Sequence, residues 1–277
     1  MNQRLKAGIL AAGLLSAATV SFAARPLIID DADPLDFQRC KIEAGGWYEK
    51  DGGCHSWDWP IGLGYGLVPS LEVNLGLGGT FQQQTEIDEN GCECINSVNG
   101  MGDLTLNTKW QFLEETTWLP RQAIVPAIKF PTADKDTGLG SGKIDYDVTW
   151  IASKSFCEKM GGHLNVGYSF IGKSSDEDEG DIIHYGVALD YKIVDPLQWV
   201  GEIYAEKELM SGTDNIIMFN TGLRWIAIDG LTFDVAAGSH ISSAGPDLTA
   251  TAGLTWEFGF VKEEKESSKK SKKIERK

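Results

Sequence analysis

Asp103-Leu104-Thr105-Leu106-Asn107-Thr108-Lys109-Trp110-Gln111-Phe112 alternates between two kinds of side chain. Leu104, Leu106, Trp110 and Phe112 share one face, while Asp103, Thr105, Asn107, Lys109 and Gln111 share the other. Successive side chains of a β-strand point to opposite sides, so this stretch reads as a strand with one apolar and one polar wall. A helix would instead need apolar residues three and four apart. The same period of two sets Leu71, Val73, Leu75 and Leu77 against Glu72 and Asn74, and Leu231, Phe233 and Val235 against Thr232 and Asp234. In Asp247–Phe260 it sets Leu248, Ala250, Leu254, Trp256 and Phe258 against Thr249, Thr251, Thr255 and Glu257.

Applied along the whole chain, the pattern predicts twelve strands near 37–49, 56–67, 71–81, 102–113, 121–130, 143–154, 162–171, 182–193, 197–207, 215–227, 231–240 and 247–259. Each is about ten residues long, and no amphipathic helix is expected. Length separates two all-β folds. Strands of soluble sandwiches run to about five or six residues, whereas a tilted strand that crosses a bilayer needs about 9–11. The connections also alternate. Val68-Pro69-Ser70, Val194-Asp195-Pro196 and Asp229-Gly230 read as tight turns, while 82–101, 131–142, 172–181 and 208–214 read as long acidic or Gly-rich loops. Short turns at one end and long loops at the other predict a transmembrane antiparallel up-and-down β-barrel with both termini on the short-turn, periplasmic side. Trp57, Trp59, Tyr65, Trp110, Trp150, Trp199, Trp225 and Trp256 fall mainly toward strand ends on the apolar face. Amphipathic rings settle at headgroup depth, so these residues are expected to form girdles.

The chain has 277 residues, with 25 Lys+Arg against 40 Asp+Glu and a formal net charge of −15. So acidic a field excludes nucleic acid as a partner. Beyond the N-terminus no apolar run reaches about 18 residues, so no spanning helix is predicted. In residues 1–23, Arg4 and Lys6 precede an uncharged core that ends in Ser21-Phe22-Ala23, the pattern of a secretory signal cleaved before Ala24. Residues 24–36 are then expected in the periplasm or inside the lumen, residues 37–261 form the barrel, and residues 262–277 form a disordered periplasmic tail with eight Lys/Arg against four Glu. Sec-dependent export would deliver such a chain to the bacterial outer membrane. Its partners there would be membrane lipid and lipopolysaccharide, the barrel-assembly machinery and small-molecule solutes.

Export permits disulfides. Of the five cysteines, Cys54 is expected in the first long loop and Cys92 and Cys94 in the second, so Cys54 with Cys92 or with Cys94 is the favoured bridge. Cys40 and Cys157 map near the periplasmic rim on distant strands, and their pairing is not expected.

If the apolar face meets lipid, the other face lines the interior. It would carry Lys41, Glu43, Glu72, Asp103, Lys109, Lys129, Asp145, Asp147, His184, Asp190, Lys192, Glu202, Glu206 and Arg224, together with Asn74, Asn107, Asn165, Asn220, Asp234 and Glu257. Each such group costs several kcal/mol against hydrocarbon, which fixes the register. Acids outnumber bases on this face, so a water-filled passage would favour cations or neutral solutes. Twelve strands lie between eight, which side chains fill, and about 16–18, which leave an aqueous channel. The expectation is therefore a narrow pore, or one partly plugged by residues 24–36. A closed lumen filled by salt bridges, serving a structural or adhesive role, is the rival reading.

No catalytic residue, cofactor or metal site is expected. His240 with Ser242 and Ser243, or His184, could be imagined in a rim hydrolase, but no nucleophile motif surrounds these serines. Ser174-Ser175-Asp176-Glu177-Asp178-Glu179-Gly180-Asp181 is acidic but lacks the ligand spacing of a calcium loop, and reads as a solvated outer loop.

Two resemblances sharpen the picture. Gly253-Leu254-Thr255-Trp256-Glu257-Phe258 resembles the terminal signal read by the barrel-assembly machinery, with Gly253 followed by Trp256 and Phe258 at alternate lipid-facing positions. Across most of its length the chain also resembles the MetA-pathway of phenol degradation family of outer-membrane barrels. The resemblance is carried by Leu27-Ile28-Ile29-Asp30-Asp31-Ala32-Asp33-Pro34, Gly102-Asp103-Leu104-Thr105-Leu106, Lys129-Phe130-Pro131-Thr132-Ala133-Asp134, Gly138-Leu139-Gly140-Ser141-Gly142-Lys143 and Leu254-Thr255-Trp256-Glu257-Phe258. It implies a transporter or porin-like barrel, with hydrophobic or aromatic compounds as a cargo.

Overall fold

A computed structural model describes residues 25–87, 93–135, 137, 139–173 and 180–259. The expected signal sequence (1–23), the basic tail (262–277) and Ser174–Glu179 lie outside these residues. The described chain consists of strands β1 (Arg39–Asp51), β2 (Cys54–Val68), β3 (Leu71–Ile87), β4 (Glu93–Met101), β5 (Leu104–Leu113), β6 (Arg121–Phe130), β7 (Asp145–Cys157), β8 (Met160–Phe170), β9 (Ile182–Val194), β10 (Leu197–Glu208), β11 (Ile216–Ile228), β12 (Leu231–His240) and β13 (Leu248–Gly259). Every strand pairs antiparallel with its neighbours, β13 pairs with β1, and β2 pairs with β3. Twelve of the strands therefore close into a ring, which leaves no free sheet edge among them.

The thirteenth, β4, lies outside the ring. The first half of β3 pairs with β5 (Leu71 to Trp110 through Gly76 to Thr105), while its second half pairs with β4 (Gly79 to Met101 through Ile87 to Glu93). A hairpin arm thus stands where a loop over 82–101 is expected. Gln82-Gln83-Gln84-Thr85-Glu86 is polar on both faces, so apolar alternation gives no sign of a strand that projects beyond the bilayer. The expected long loop before β2 is likewise a two-residue turn. Asp51 pairs with Cys54, and Gly52 takes a φ of 54°, a backbone conformation that favours glycine in tight hairpins. Cys54 therefore begins β2 and does not sit in a loop. At the opposite end, the β5–β6 turn is tied to β7 by Glu115, which accepts hydrogen bonds from the backbone N–H and hydroxyl of Ser155. The Lys154 ammonium holds the Glu115 carboxyl below its ordinary range.

The distribution of side chains is that of a soluble protein turned inside out. Along β5, Thr105, Asn107, Lys109 and Gln111 are buried, while Leu106, Trp110 and Phe112 are exposed. Elsewhere Glu72, Asn74, Asn165, Glu202, Asn220 and Asp234 are buried, and Leu63, Val187, Ile203, Leu223 and Val235 face outward. Water outside such a barrel would meet a continuous apolar belt, so hydrocarbon is its natural surround. Exposed rings rim the belt. Trp57, Tyr146, Phe170 and Tyr185 lie toward the long-loop end, and Tyr65, Trp110, Tyr191, Trp199, Trp225 and Trp256 toward the short-turn end. From Trp57 to Tyr65 on β2 the rise is about 26 Å along the strand. A tilt of about 40° reduces this to about 20 Å, near the height of an outer-membrane apolar band.

One interruption falls in the wall. Between β5 and β6 the pairing jumps from Asn107 with Ala127 to Trp110 with Ile124, skipping Pro126, which has no N–H to contribute.

Lipid contact along the apolar face is testable at Val187, which is exposed between Ile203 and Leu164 at mid-strand and should tolerate arginine poorly. Val187→Arg is expected to cost about 2–4 kcal/mol on folding into lipid vesicles. Folding unaffected by the substitution would place Val187 away from lipid.

Candidate functional site

The interior is occupied by the chain's own N-terminal segment. Residues 25–36 enter the ring before β1 begins, and their backbone is held by side chains from strands far apart in sequence. The Glu202 carboxylate accepts from the N–H groups of Ile28 (2.9 Å) and Ile29 (2.8 Å) and from the Asn220 amide (2.7 Å). Ser153 accepts from the Ala32 N–H and Glu72 from the Leu35 N–H, each at 2.8 Å. Arg224 donates to the Arg25 carbonyl at 2.6 Å. Asn165, with its amide turned so that both ends are satisfied, donates to the Asp30 carbonyl and accepts from the Asp30 N–H. An extended segment has no backbone partners of its own, and a buried unpaired N–H is costly, so these side chains supply what a neighbouring strand would have given.

Charge and shape complete the fit. The Arg25 guanidinium meets Asp234 at 3.1 Å, Lys109 meets Asp30 at 2.9 Å and Asp31 at 3.8 Å, and Arg121 pairs with Asp33. Leu27 and Ile29 pack on Ala188, Val200, Tyr204 and Met218, and Ala32 packs on Ala123 and Ile151. Gly45 and Gly253 face each other on β1 and β13, where a Cβ on either would overlap the Arg25 guanidinium. Gly66 clears the Asp36 carbonyl in the same way.

The remaining inward groups are mostly paired. Lys41 reaches Glu72 (3.0 Å) and Glu43 (3.9 Å). Lys129 pairs with Asp145 and lies 3.6 Å from Asp103. His184 meets Asp147 at 2.7 Å, and that carboxylate also accepts from Ser169 and Thr149. Asp190 bonds His163. Lys192 differs from the others. It pairs with Asp195 in the β9–β10 turn, at the rim and away from the segment. Gly253 faces inward, whereas Trp256 is exposed and meets the Phe258 ring at a tilt of 42°. Cys40 and Cys157 sit as thiols on β1 and β7, well separated around the ring. Cys92 and the Cys94 side chain lie outside the described residues.

Above the segment, toward the long-loop end, a cavity of about 140 Å³ remains, floored by Ile28, Ile29 and Asp30. Its walls mix Val125, Ile151, Ile171 and Ile182 with Lys129–Asp145, His184–Asp147, Tyr204 and Glu206. A dry cavity of about 150 Å³ accommodates one benzene.

Two features of this interior escape sequence reasoning. Tyr204, Val200 and Met218 face inward and form an apolar patch on a wall expected to be polar. Ser153, His163 and Asp190 form a relay across β7, β8 and β9, with Ser153 Oγ 2.8 Å from His163 Nδ1 and His163 Nε2 3.0 Å from Asp190. In a hydrolytic triad the serine sits on Nε2 and the acid on Nδ1. Here that order is reversed and the serine holds the Ala32 N–H, so the relay anchors the segment. The rim histidine His240 bonds the Pro246 carbonyl, and Ser242 is engaged with Ile217 and Ala244.

A closed twelve-stranded ring with a polar, partly occupied interior and an aromatic-rimmed apolar exterior defines an outer-membrane β-barrel of the porin-like kind. Residues 51–258 match the family described as "Putative MetA-pathway of phenol degradation", and the chain belongs to it. Among solved structures it is similar to the COG4313 outer membrane channel from Pseudomonas putida F1, with a TM-score of 0.66 and 14% identity over 82% of this chain and 98% of that one. It is also similar to the NanC porin (TM-score 0.57, 8% identity, 78% of this chain and 98% of that one). The translocator domain of the autotransporter NalP from Neisseria meningitidis gives a TM-score of 0.54 at 10% identity, over 91% of this chain and 98% of that one. At these identities the likeness is one of fold. None of the curated proteins matches the sequence.

Proposed function

We propose that the protein is a passive outer-membrane channel for small molecules that are apolar or aromatic, with no covalent chemistry of its own. The observation that carries this is the cavity above the N-terminal segment, ring-sized, where Ile28, Ile29, Val125, Ile151, Ile171 and Ile182 are set among polar and charged side chains. In this reading the long loops face the outside among lipopolysaccharide and both termini face the periplasm after Sec-dependent export. The Gly253, Trp256 and Phe258 strand is the one presented to the assembly machinery. Unpaired acid on the inner face disfavours anions, so neutral solutes and cations are the preferred passengers. The family's description and the likeness to the Pseudomonas putida barrel, itself described as an outer membrane channel, lend the same support.

Flux into liposomes tests it. Vesicles that carry the folded protein should admit single-ring neutral solutes faster than protein-free vesicles, and should admit disaccharides no faster. The ion-paired segment favours a second reading, a closed barrel whose loops meet other surfaces. Equal flux with and without protein for every solute would select that reading over the channel.

A further inference from the structure

We propose that the outward face of β1–β3, at the long-loop end, carries a docking site for a phosphate group of lipopolysaccharide, formed by Lys50, His55 and Gln83. The inference deepens the reading in which the long loops face the outside, and rests on it. Trp47, Glu49 and Ser56 are buried, so the residues that alternate with them point away from the lumen. Register sets these outward side chains in two rows. Tyr48 pairs with Trp57 and Trp57 with Phe81, so three rings stand side by side at the edge of the apolar belt. Two residues further along each strand, Lys50 pairs with His55 and His55 with Gln83. That step is about 6.6 Å along the strand, or about 5 Å along the membrane normal at a tilt of about 40°. Amphipathic rings mark the boundary of the hydrocarbon, so the second row stands among the headgroups.

Every member of the second row has a donor to offer. Lys50 is exposed, and among the described residues no hydrogen bond or ion pair engages Lys50 or Gln83. The Tyr48 hydroxyl lies 2.8 Å from His55 Nδ1, and the two rings stack with centroids 6.1 Å apart. With that hydroxyl donating to Nδ1, the imidazole proton stands on Nε2, at the far side of the ring from Tyr48. Asp51 and Asp247 lie beyond the row at the β1–β2 turn, where Asp247 accepts from the Gly52 N–H, and neither pairs with Lys50.

The chemistry of the row selects its occupant. An ammonium, an imidazole N–H and a carboxamide present several donors and one full positive charge, which suits an anion that accepts at several oxygens. A phosphate is such a group. The chain as a whole has a formal net charge of −15 and repels phosphate, so only a local cluster of donors can hold one. The ring row directly below gives apolar contact for chains attached to the same molecule. Phosphate at headgroup depth with hydrocarbon beneath it describes a lipid, and in the outer leaflet that lipid is lipopolysaccharide, whose phosphates sit on its lipid A sugars.

Native mass spectrometry of the folded chain in detergent tests the site without requiring any flux. The probes are lipid A with its phosphates, lipid A stripped of them, and dioleoylphosphatidylglycerol. The phosphorylated lipid A is expected to bind about tenfold more tightly than either of the others. Lys50→Gln and His55→Phe should each weaken it about tenfold and leave the stripped form unchanged. Both side chains lie outside the packed interior, and a heat-dependent shift in gel mobility confirms that the variants fold. Lys207→Gln is the control. Lys207 is exposed at the same end of β10 but has Ile183 as its ladder partner, and its loss should change nothing. Equal binding of stripped lipid A would overturn the phosphate site, and equal binding of phosphatidylglycerol would overturn its assignment to lipopolysaccharide. A loss with Lys207→Gln as large as with Lys50→Gln would overturn the row in favour of general attraction to bases. An epitope inserted in the β3–β4 hairpin reads the orientation separately. If antibody cannot reach it on intact cells while lipid A binds as expected, the orientation reading fails and the phosphate site stands.

Discussion

A barrel beginning at residue 37, with residues 25–36 removed, is expected to conduct severalfold more current per molecule in a planar bilayer than the chain that keeps them. The segment crosses the interior and holds Leu27, Ile29, Ala32 and Leu35 buried among wall side chains. Without it, twelve strands enclose a water-filled bore of intermediate width. The groups that hold the segment (Glu202, Glu72, Ser153 and Lys109) would be rehydrated and not stranded, so the ring itself should survive. Retained strand signal in circular dichroism and a heat-dependent shift in gel mobility would show that it does. Unchanged current from a folded, truncated barrel would mean that the segment does not control the passage.

Lys109→Met is expected to have the largest effect on stability. Lys109 is 3% exposed and its ammonium sits 2.9 Å from Asp30, with the Asp33 carbonyl at 3.4 Å. Methionine keeps the length of the side chain and removes its charge, leaving Asp30 and Asp31 in the interior without their principal counter-charge. Breaking one side of a buried pair typically costs about 3–5 kcal/mol, because the orphaned charge remains. Denaturant unfolding from detergent would measure the loss. Asp30→Asn added to Lys109→Met should recover a large part of it, since the double change removes the orphan too. Equal stability of wild type and Lys109→Met would show the pair to be solvated.

The ring was legible from alternation alone wherever one face is apolar and the other polar. Asp103–Phe112 and Leu231–His240 are such cases, and in both the polar half lies inside. Legibility failed where the medium changes. Beyond the bilayer, β3 continues through Gln82–Glu86, paired with β4, in a sequence with no apolar face, and an amphipathic pattern cannot announce a strand that water meets on both sides. It failed again inside the lumen. Along β10, Val200, Glu202, Tyr204 and Glu206 share the inner face. Two of these are apolar in body because they meet the N-terminal segment, and a wall scored by polarity hides them. A lumenal place for the segment before the first strand, which residues 25–36 take, was one of two placements expected from the bore of twelve strands. How they are held was not legible, because the anchors are two carboxylates, a hydroxyl and a guanidinium brought from β3, β10, β7 and β11 only by closure of the ring. The Ser153–His163–Asp190 relay escapes for the same reason: its members are ten and 27 residues apart and meet only through strand register.

The lipid-facing ring with a narrow, acid-biased interior is tested most directly by single-channel recording, across a salt gradient, of the barrel with residues 25–36 in place. Discrete openings of small conductance are expected, with a reversal potential that shows cations preferred over anions. A heat-modifiable, folded barrel that leaves the bilayer as insulating as lipid alone, or one that passes anions preferentially, would contradict it.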